Sequence, residues 1–361
     1  MLHVEKQLPM DDRAHAVRQR IRVLIVDDSV VVRKILTTAL RNDPELDVVG
    51  SAPNGLIALQ RIGQFAPDLV TLDIEMPELD GIATVREIKR QFPRTRVIMC
   101  STLTERGASV TLEALALGAD DYVTKPSSQF GDNSLESLGG QLIPRIKQFF
   151  THRATMPAPG RSLTQSATAP LRAKPRAIAI GVSTGGPNAL AEVIPMLPAG
   201  FPLPVFIVQH MPPMFTRLLA ERLQAHSKVP VVEAAEGMRV SSGQVYIAPG
   251  DFHMCVAKSG QDILIRLNKE PMENSCRPAV DVLFRSIAEV YGGATISVIL
   301  TGMGQDGLRG VERLRSLGGY VIAQDEASSV VWGMPGFVAR TGLADAVCDL
   351  RAIAPEIFRH L

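Results

Sequence analysis

The chain contains three residues, Ser183, His210 and Asp306, whose types can together form the catalytic triad of a serine hydrolase. Each follows an apolar run typical of a buried parallel strand. In open α/β sheets, functional groups gather beyond the carboxyl ends of such strands, so we expect the three side chains to meet at one edge. The three runs are Ala177–Val182, Val205–Gln209 and Thr295–Leu300.

The pattern assigns a separate role to each residue. Ser183 is flanked by glycines that tolerate a tight turn, and the helix predicted after it offers unpaired N–H groups. A serine hydroxyl needs a base, which is His210 in this interpretation, and Asp306 would orient the imidazole. The oxyanion formed on attack needs main-chain donors, for which we predict the N–H groups of Met303 and Thr184.

Each part of this constellation has an alternative interpretation. A Gly-x-Ser-x-Gly sequence is often a plain strand-to-helix turn, and a histidine or aspartate in a turn is usually structural. His253, after the turn Pro249–Gly250, is the competing base and otherwise a pocket-lining or structural group. The chain order of Ser183, His210 and Asp306 also differs from that of α/β-hydrolases, which argues against that fold.

A second set of polar residues follows apolar runs in the first third of the chain. Asp27, Asp28 and Asp73 come from the ends of two predicted strands, and carboxylates gathered in this way suit Mg²⁺. Ser101 and Lys125 follow two further strands and add a hydroxyl and an ammonium group. Together these side chains predict a phosphoryl site, although a single aspartate at such a position is usually only a cap.

This part of the chain resembles the CheY-like receiver domains of response regulators in Asp27-Asp28, Asp73, Ser101, Tyr122 and Lys125-Pro126. The resemblance implies that Asp73 accepts a phosphoryl group from a sensor histidine kinase and that Asp27 and Asp28 help to hold Mg²⁺. It also implies that Lys125 and Ser101 read the phosphoryl group and that Tyr122 is an aromatic switch.

The second half of the chain resembles the CheB-type protein-glutamate methylesterase domain. The segments that carry the resemblance are Gly181–Gly186, Gln209–Pro212, Tyr246–Gly250, Arg277-Pro278 with Val280-Asp281, and Leu300–Gly307. The resemblance assigns the nucleophile to Ser183, the base to His210 and the orienting acid to Asp306. It places Met303 at the oxyanion hole. Ala279 stands where relatives usually carry serine, a departure that leaves the triad intact.

The two resemblances together imply one regulated enzyme. It would hydrolyse γ-glutamyl methyl esters on methyl-accepting chemotaxis receptors, with release of methanol, and would also deamidate receptor glutamines. The receiver would cover the entrance of the active site until phosphorylation of Asp73 shifts it. One alternative is the same hydrolase in a non-motility receptor pathway. Another is a nucleotide- or DNA-binding output domain, for which the sequence shows neither a Gly-Lys-[Ser/Thr] loop nor a DNA-reading element.

Strand and helix patterns alternate through both halves of the chain. They predict two doubly wound α/β domains with mainly parallel sheets, a CheY-like receiver and a CheB-type methylesterase domain. A stretch rich in Pro, Ala, Ser, Thr and Arg between them indicates a flexible linker. We predict a disordered N-terminal extension at 1–20, the receiver at 21–150, the linker at 151–175 and the catalytic domain at 176–361.

Composition argues against several other classes of protein. The formal net charge is +1, which gives no general attraction to nucleic acid or to anionic membranes. No run of about 20 apolar residues could span a bilayer, and the first residues lack the apolar core of a signal peptide. The four cysteines show no metal-binding spacing, which suits a reducing compartment. We therefore expect a cytoplasmic protein without nucleic-acid partners or direct membrane insertion.

Overall fold

The structure of the protein is a computed structural model that describes residues 20–125, 133–150 and 173–361. The predicted N-terminal extension, except for residue 20, and most of the predicted linker lie outside these residues. Within the described residues the chain forms two α/β domains, each built on a parallel sheet.

The N-terminal domain alternates strands and helices along the chain. Its elements are β1 (Ile21–Val26), α1 (Val30–Arg41), β2 (Leu46–Ala52), α2 (Gly55–Phe65), β3 (Leu69–Asp73), α3 (Gly81–Gln91), β4 (Arg96–Thr102), α4 (Glu105–Ala116), β5 (Asp121–Lys125) and α5 (Asn133–Gln148). The five strands are parallel in the order β2-β1-β3-β4-β5. Side-chain oxygens of Ser29, Asn54, Asp80 and Thr104 accept backbone N–H groups at the starts of α1 to α4. This order brings the carboxyl ends of β1, β3, β4 and β5 to one edge.

The C-terminal domain has a larger sheet and one hairpin. Its elements are β6 (Ala177–Val182), α6 (Gly186–Val193), β7 (Val205–Gln209), α7 (Phe215–His226), β8 (Val231–Glu233), β9 (Val245–Ile247), β10 (His253–Ser259), β11 (Asp262–Asn268), α8 (Val280–Tyr291), β12 (Thr295–Ile299), α9 (Leu308–Ser316), β13 (Tyr320–Gln324), α10 (Met334–Arg340), β14 (Ala346–Cys348) and α11 (Ile353–Phe358). Seven parallel strands run in the order β14-β13-β12-β6-β7-β9-β8. β10 and β11 pair separately as an antiparallel ribbon. The neighbouring strands β12, β6 and β7 therefore end side by side.

Apolar side chains pack on both faces of the two sheets. Every residue of β6, β7 and β12 is buried, as expected for parallel strands covered by helices on both sides. α8 turns an apolar face that includes Leu283, Phe284 and Ile287 toward this core. The central strands are thus held rigidly, and the polar residues beyond their ends are held with them.

The fold class predicted from the sequence is confirmed, with small differences at strand ends. β3 includes Asp73 and β4 extends through Ser101 to Thr102, because parallel pairing with the next strand continues that far. Both residues are therefore fixed by the sheet itself. No helix in the described parts of the chain is both long and apolar enough to cross a membrane.

Candidate functional site

Ser183 lies in a tight turn between β6 and α6. Its N–H donates to the Thr301 carbonyl at 3.0 Å, and its own carbonyl accepts the Gly186 N–H at 2.8 Å. Gly185 has a φ of 77°, in the left-handed region that favours glycine. The Gln209 amide donates to the Ser183 carbonyl at 2.9 Å. A Cβ on Gly186 would lie 1.9 Å from Gln209 Oε1, so any larger residue there would displace the amide that bonds to the Ser183 carbonyl.

His210 and Asp306 form a hydrogen-bonded pair beside this turn. His210 Nε2 lies 2.8 Å from Asp306 Oδ2, and Asp306 is only 3% exposed. The backbone N–H groups of Val280 and Asp281 donate to the two Asp306 oxygens at 2.7 and 3.0 Å. An ionised carboxylate only accepts hydrogen bonds, so the imidazole hydrogen on Nε2 is directed at Asp306 and Nδ1 is left for proton transfer.

The electrostatics of the pair favour its charged form. Burial favours the protonated form of Asp306, but the hydrogen bond and charge of His210 and two backbone N–H groups outweigh it and lower the pKa of that carboxyl. Burial favours neutral His210, whereas hydrogen bonds with Asp306 and Cys276 raise the pKa of the imidazole to about 10. Cys276 Sγ lies 3.5 Å from His210 Nδ1. The imidazole therefore has a partner at each nitrogen.

The segment after β12 lies directly against Ser183. A Cβ on Gly302 would lie 2.8 Å from Ser183 Cβ, so this close approach depends on glycine. Gly302 pairs with Trp332 in a parallel bridge, and its N–H donates to the residue before Trp332. Met303 follows Gly302 and is half-buried, whereas Thr184 is buried. Both main chains thus lie beside Ser183, where the predicted oxyanion donors are needed, and that role remains a prediction.

The two candidate bases, His210 and His253, have different surroundings. Ser183 and His210 line the same small cavity, and among the described residues no hydrogen bond joins their side chains. The competing base His253 is fully buried, with Nε2 3.1 Å from the Pro271 carbonyl and Nδ1 accepting the Ala279 N–H at 3.2 Å. Both nitrogens of His253 are occupied by backbone, as in a structural histidine.

The N-terminal domain gathers its predicted acidic residues at one edge. Lys125 Nζ lies 2.8 Å from both Asp27 Oδ2 and Asp73 Oδ1. Carboxylate oxygens of Asp27, Asp28 and Asp73 all lie within 4.8 Å of one another. Burial raises the pKa of Asp73 to about 6, opposed by Lys125 and assisted by Asp27. Three hard oxygen ligands so close together fit Mg²⁺, which neutralises clustered carboxylates and retains several waters.

Ser101, the predicted hydroxyl of the phosphoryl site, lies on the neighbouring strand β4. The Ser101 hydroxyl accepts from Thr111 Oγ1 at 2.7 Å and donates to the Gly107 carbonyl at 3.1 Å, so it faces α4. Thr102, one residue further on, lines the open cavity next to Asp73. The structure therefore does not bring Ser101 to the carboxylates, and its predicted role in reading a phosphoryl group remains a prediction.

The α4–β5 side of the N-terminal domain packs on α6 and α7 of the C-terminal domain. The rings of Tyr122 and Phe215 stack with centroids 4.9 Å apart and planes 7° apart. Asn188 Nδ2 donates to the Leu115 carbonyl at 2.7 Å. The exposed Arg217 pairs with Glu105 at 2.5 Å at the rim. The predicted switch residue Tyr122 is therefore an interface residue.

The same interface covers the turn that contains Ser183. Asp121 accepts a hydrogen bond of 3.1 Å from the Thr184 hydroxyl and pairs with Arg145 at 2.7 Å. All three residues line the cavity that contains Ser183 and His210. Its volume is about 20 Å³. That is room for roughly one water molecule. An ester side chain cannot enter while the two domains are arranged in this way.

Sequence reasoning identified the three main groups of the C-terminal site but missed four of their neighbours. Asp121 and Arg145 come from the other domain, and no motif joins them to Ser183. Asn274, whose Nδ2 lies 2.8 Å from Asp306 Oδ1, and Cys276, whose Sγ lies 3.5 Å from His210 Nδ1, belong to a short loop that sequence reasoning did not connect with the triad. The one available signal was Asn274-Ser275 before the Arg-Pro motif, because asparagine tolerates the left-handed turn found there.

Comparison with known families gives two matches along the chain. Residues 178–357 match the model described as "CheB methylesterase". Residues 23–131 match the model described as "Response regulator receiver domain". The two matches correspond to the two parallel-sheet domains and to their order along the chain.

Curated relatives match nearly the whole chain. A "Protein-glutamate methylesterase/protein-glutamine glutaminase" of Trichodesmium erythraeum is 48% identical and covers 95% of this chain and 99% of its own length. A protein of the same name from Nocardioides is 49% identical over 94% of this chain and 95% of its own. Among solved structures, the CheB methylesterase catalytic domain of Thermotoga maritima is 44% identical, with a TM-score of 0.51 over 52% of this chain and 100% of that one.

Proposed function

The chain belongs to the CheB methylesterase family, and we propose that it is a phosphorylation-gated protein-glutamate methylesterase with the triad Ser183, His210 and Asp306. Its substrates are γ-glutamyl methyl esters on the cytoplasmic helices of methyl-accepting chemotaxis receptors, and it acts in chemotactic adaptation. The observation that carries the proposal is the His210–Asp306 pair at 2.8 Å, with His210 lining one cavity together with a serine held in a glycine turn.

In the first half of the reaction the serine becomes acylated. Ser183 Oγ gives its proton to Nδ1 of neutral His210 and attacks the ester carbonyl, while Asp306 stabilises the imidazolium through Nε2–H. The negative oxygen forms beside the main-chain N–H groups of Met303 and Thr184. When the carbon–oxygen bond breaks, the methoxide leaving group takes the proton from Nδ1 and departs as methanol.

In the second half, water replaces the serine. His210 removes a proton from the water, the hydroxide attacks the acyl carbon, and Ser183 Oγ leaves with that proton. The product is a free glutamate carboxylate. A receptor glutamine can follow the same route with ammonia as the leaving group, so we propose deamidation as a second activity of the same triad.

Gating follows from the interface over the nucleophile. A cavity of about 20 Å³ excludes substrate, so the N-terminal domain must move before the ester can bind. We propose that a histidine kinase phosphorylates Asp73 and that Asp27, Asp28 and Asp73 would hold Mg²⁺, which would neutralise charge during the transfer. The added negative charge beside Lys125 would shift β5 and weaken the contact with α7.

The proposed partners indicate in which compartment of the cell the protein acts. The phosphodonor kinase and the receptor helices named above are cytoplasmic, so we place the protein in the cytoplasm. No nucleic-acid partner is part of this proposal, because the C-terminal domain carries an esterase family match in place of a DNA-reading element.

Methanol release from methylated receptor fragments tests the proposal. The full chain, Ser183→Ala and Asp73→Asn are each assayed with and without a small phosphodonor and Mg²⁺. We expect Ser183→Ala to lose activity and Asp73→Asn to lose only the response to the donor. Ser316→Ala, an exposed serine outside the site, is the matched control. Methanol release that persists in Ser183→Ala would refute the triad. Release from the wild type that ignores the donor would refute the gating.

A further inference from the structure

A four-residue hairpin, Glu273–Cys276, lies on the catalytic pair. The backbone N–H groups of its first and last residues each donate to the other's carbonyl, at 3.2 and 2.9 Å. Its two middle residues, Asn274 and Ser275, have φ values of 52° and 61°, in the left-handed region that non-glycine residues rarely adopt. Arg285 holds the Glu273 carboxylate with two bonds of 2.7 and 2.6 Å. The hairpin therefore has one well-defined shape.

Asn274 fixes the acid of the pair. Its Nδ2 donates to Asp306 Oδ1 at 2.8 Å and to Asp281 Oδ2 at 3.0 Å. Asp306 and Asp281 are 3% and 1% exposed, so two buried carboxylates lie on either side of one amide. An amide nitrogen has two hydrogens, and here each carboxylate receives one. Asn274 thus offsets the repulsion between the carboxylates and orients Asp306.

Cys276 lies on the opposite end of the pair. Its Sγ is 3.5 Å from Nδ1 of His210, whose Nε2 is already bonded to Asp306. When the imidazole is charged, both nitrogens carry hydrogen, and sulfur is the acceptor available to Nδ1–H. Nδ1 is also the nitrogen that must receive the Ser183 proton. The thiol therefore contacts the atom at which the base works.

We propose that the Glu273–Cys276 hairpin is a positioning element for the catalytic pair, with Cys276 accepting Nδ1–H of charged His210 and Asn274 fixing Asp306. The proposal rests on the function proposed above, in which His210 is the base. Cys276 stabilises the imidazolium formed when Ser183 loses its proton, which increases the basicity of His210. The proton moves only between Ser183 Oγ and His210 Nδ1, and the sulfur is not chemically changed.

The charged groups around the imidazole allow the effect of Cys276 on the His210 pKa to be separated from other effects. In the described parts of the chain, the titratable groups that face His210 are Asp306, Cys276 and, across the cavity, Tyr122 and Asp121 from β5 and Arg145 from α5. Arg145 and Asp121 pair with each other at 2.7 Å, so their opposite charges largely cancel at His210. The raised pKa of His210 has Asp306 and Cys276 as its causes.

The test is the pH dependence of kcat/KM in the full, phosphodonor-treated chain. For Cys276→Ala we expect the acid limb to move down by about half a pH unit to one pH unit and the plateau to fall several-fold, because a less basic imidazole titrates earlier and accepts the serine proton less well. Cys276→Ser keeps an acceptor oxygen at this position and should move the limb less. Asn274→Ala should also lower the limb, since it loosens Asp306. Cys255→Ala, on β10 outside the site, is the matched control.

A second readout is independent of esterase activity. NMR titration of the His210 imidazole in the full chain should show the same downward shift in Cys276→Ala, with Nε2 as the protonated nitrogen of the neutral form. A reduced plateau with an unchanged limb and an unchanged His210 titration would reduce the hairpin to a structural loop and overturn the proposal. Methanol release that survives Ser183→Ala would instead overturn the proposed function, whatever the titration shows.

Discussion

Thr184 and Asp121 form a hydrogen bond of 3.1 Å between the two domains. Thr184 directly follows Ser183, the proposed nucleophile, and Asp121 is the first residue of β5. The same strand ends at Lys125, whose ammonium lies 2.8 Å from Asp73. One five-residue strand therefore contacts the candidate phosphorylation site at one end and the catalytic turn at the other.

Asp121→Asn should raise the activity of the chain that has not been phosphorylated. The amide keeps the shape of the carboxylate but removes the charge that strengthens the hydrogen bond from Thr184 across the interface and that holds Arg145 over the cavity, so the closed arrangement loses stability. We expect basal methanol release to rise about 5-fold or more, within the usual range of coupling between sites. The control is Asp43→Asn, which removes a surface pair with Lys147. Basal activity equal to wild type would show that this contact does not hold the domains together.

The stack between Tyr122 and Phe215 predicts that the ring of Tyr122, and not its hydroxyl, keeps the two domains closed. Tyr122→Ala removes a ring stacked at 4.9 Å on Phe215 and should raise basal activity, because the interface loses an aromatic pair. Tyr122→Phe keeps the ring and should raise it much less. The measurement is the initial rate of methanol release by each variant without phosphodonor. If the two variants have equal rates, the ring stack is not what keeps the domains closed.

The pH dependence of the resting enzyme follows from His210. Its pKa is raised from 6.5 to about 10, and a base must be neutral to act. We expect the kcat/KM of the full chain without phosphodonor to rise from neutral pH toward pH 10. The folded pKa lies above the unfolded one, so the His210–Asp306 pair stabilises the fold fully below about pH 6.5 and loses that contribution as pH rises through about 10.

Urea unfolding measures the stability half of that prediction. The free energy of unfolding should fall between about pH 7 and pH 10, and His210→Gln should remove this part of the dependence. An acid limb below pH 7 in the resting chain would mean that the imidazole is already neutral there.

Gly302→Ala should damage catalysis without unfolding the protein. The new Cβ would lie 2.8 Å from Ser183 Cβ and 2.5 Å from Met334 Sδ, so the nucleophile must shift. Displacements of about 1 Å in an active site cost about 100-fold in rate, and we expect a loss of kcat of that order. Gly63→Ala in α2, where the nearest atom is 3.8 Å away, is the matched control. Near-normal kcat in Gly302→Ala would show that Ser183 does not depend on this contact.

Much of the site could be predicted because its residues lie at the ends of buried strands. Ser183 and His210 follow neighbouring parallel strands, and the apolar runs before them leave one sheet edge for both. The same reasoning located Asp27 and Asp73 in the other domain. In these cases the local sequence pattern agrees with the topology of the sheet, so identifying the strands was enough to predict which residues meet.

Other features depend on contacts between segments that are distant in sequence. That Nε2 and not Nδ1 of His210 faces Asp306 depends on how the loops after β7 and β12 approach each other. Ser101 sits at the expected strand position, but its hydroxyl bonds to α4, a choice of rotamer that no spacing reveals. In the sequence, Asp121 is only the first residue of a strand, and its contact with Thr184 depends on how the second domain packs against the first.

Trp332 is the only tryptophan of the chain, and its backbone pairs with Gly302 beside the nucleophile. Its indole N–H donates to the Gln324 carbonyl at 2.9 Å, and the Arg340 guanidinium lies 4.9 Å from the ring centroid. All tryptophan fluorescence of the chain therefore comes from this one indole. The protein thus contains a natural fluorescent reporter beside Ser183. Domain opening and substrate arrival could be followed in real time in the unlabelled chain.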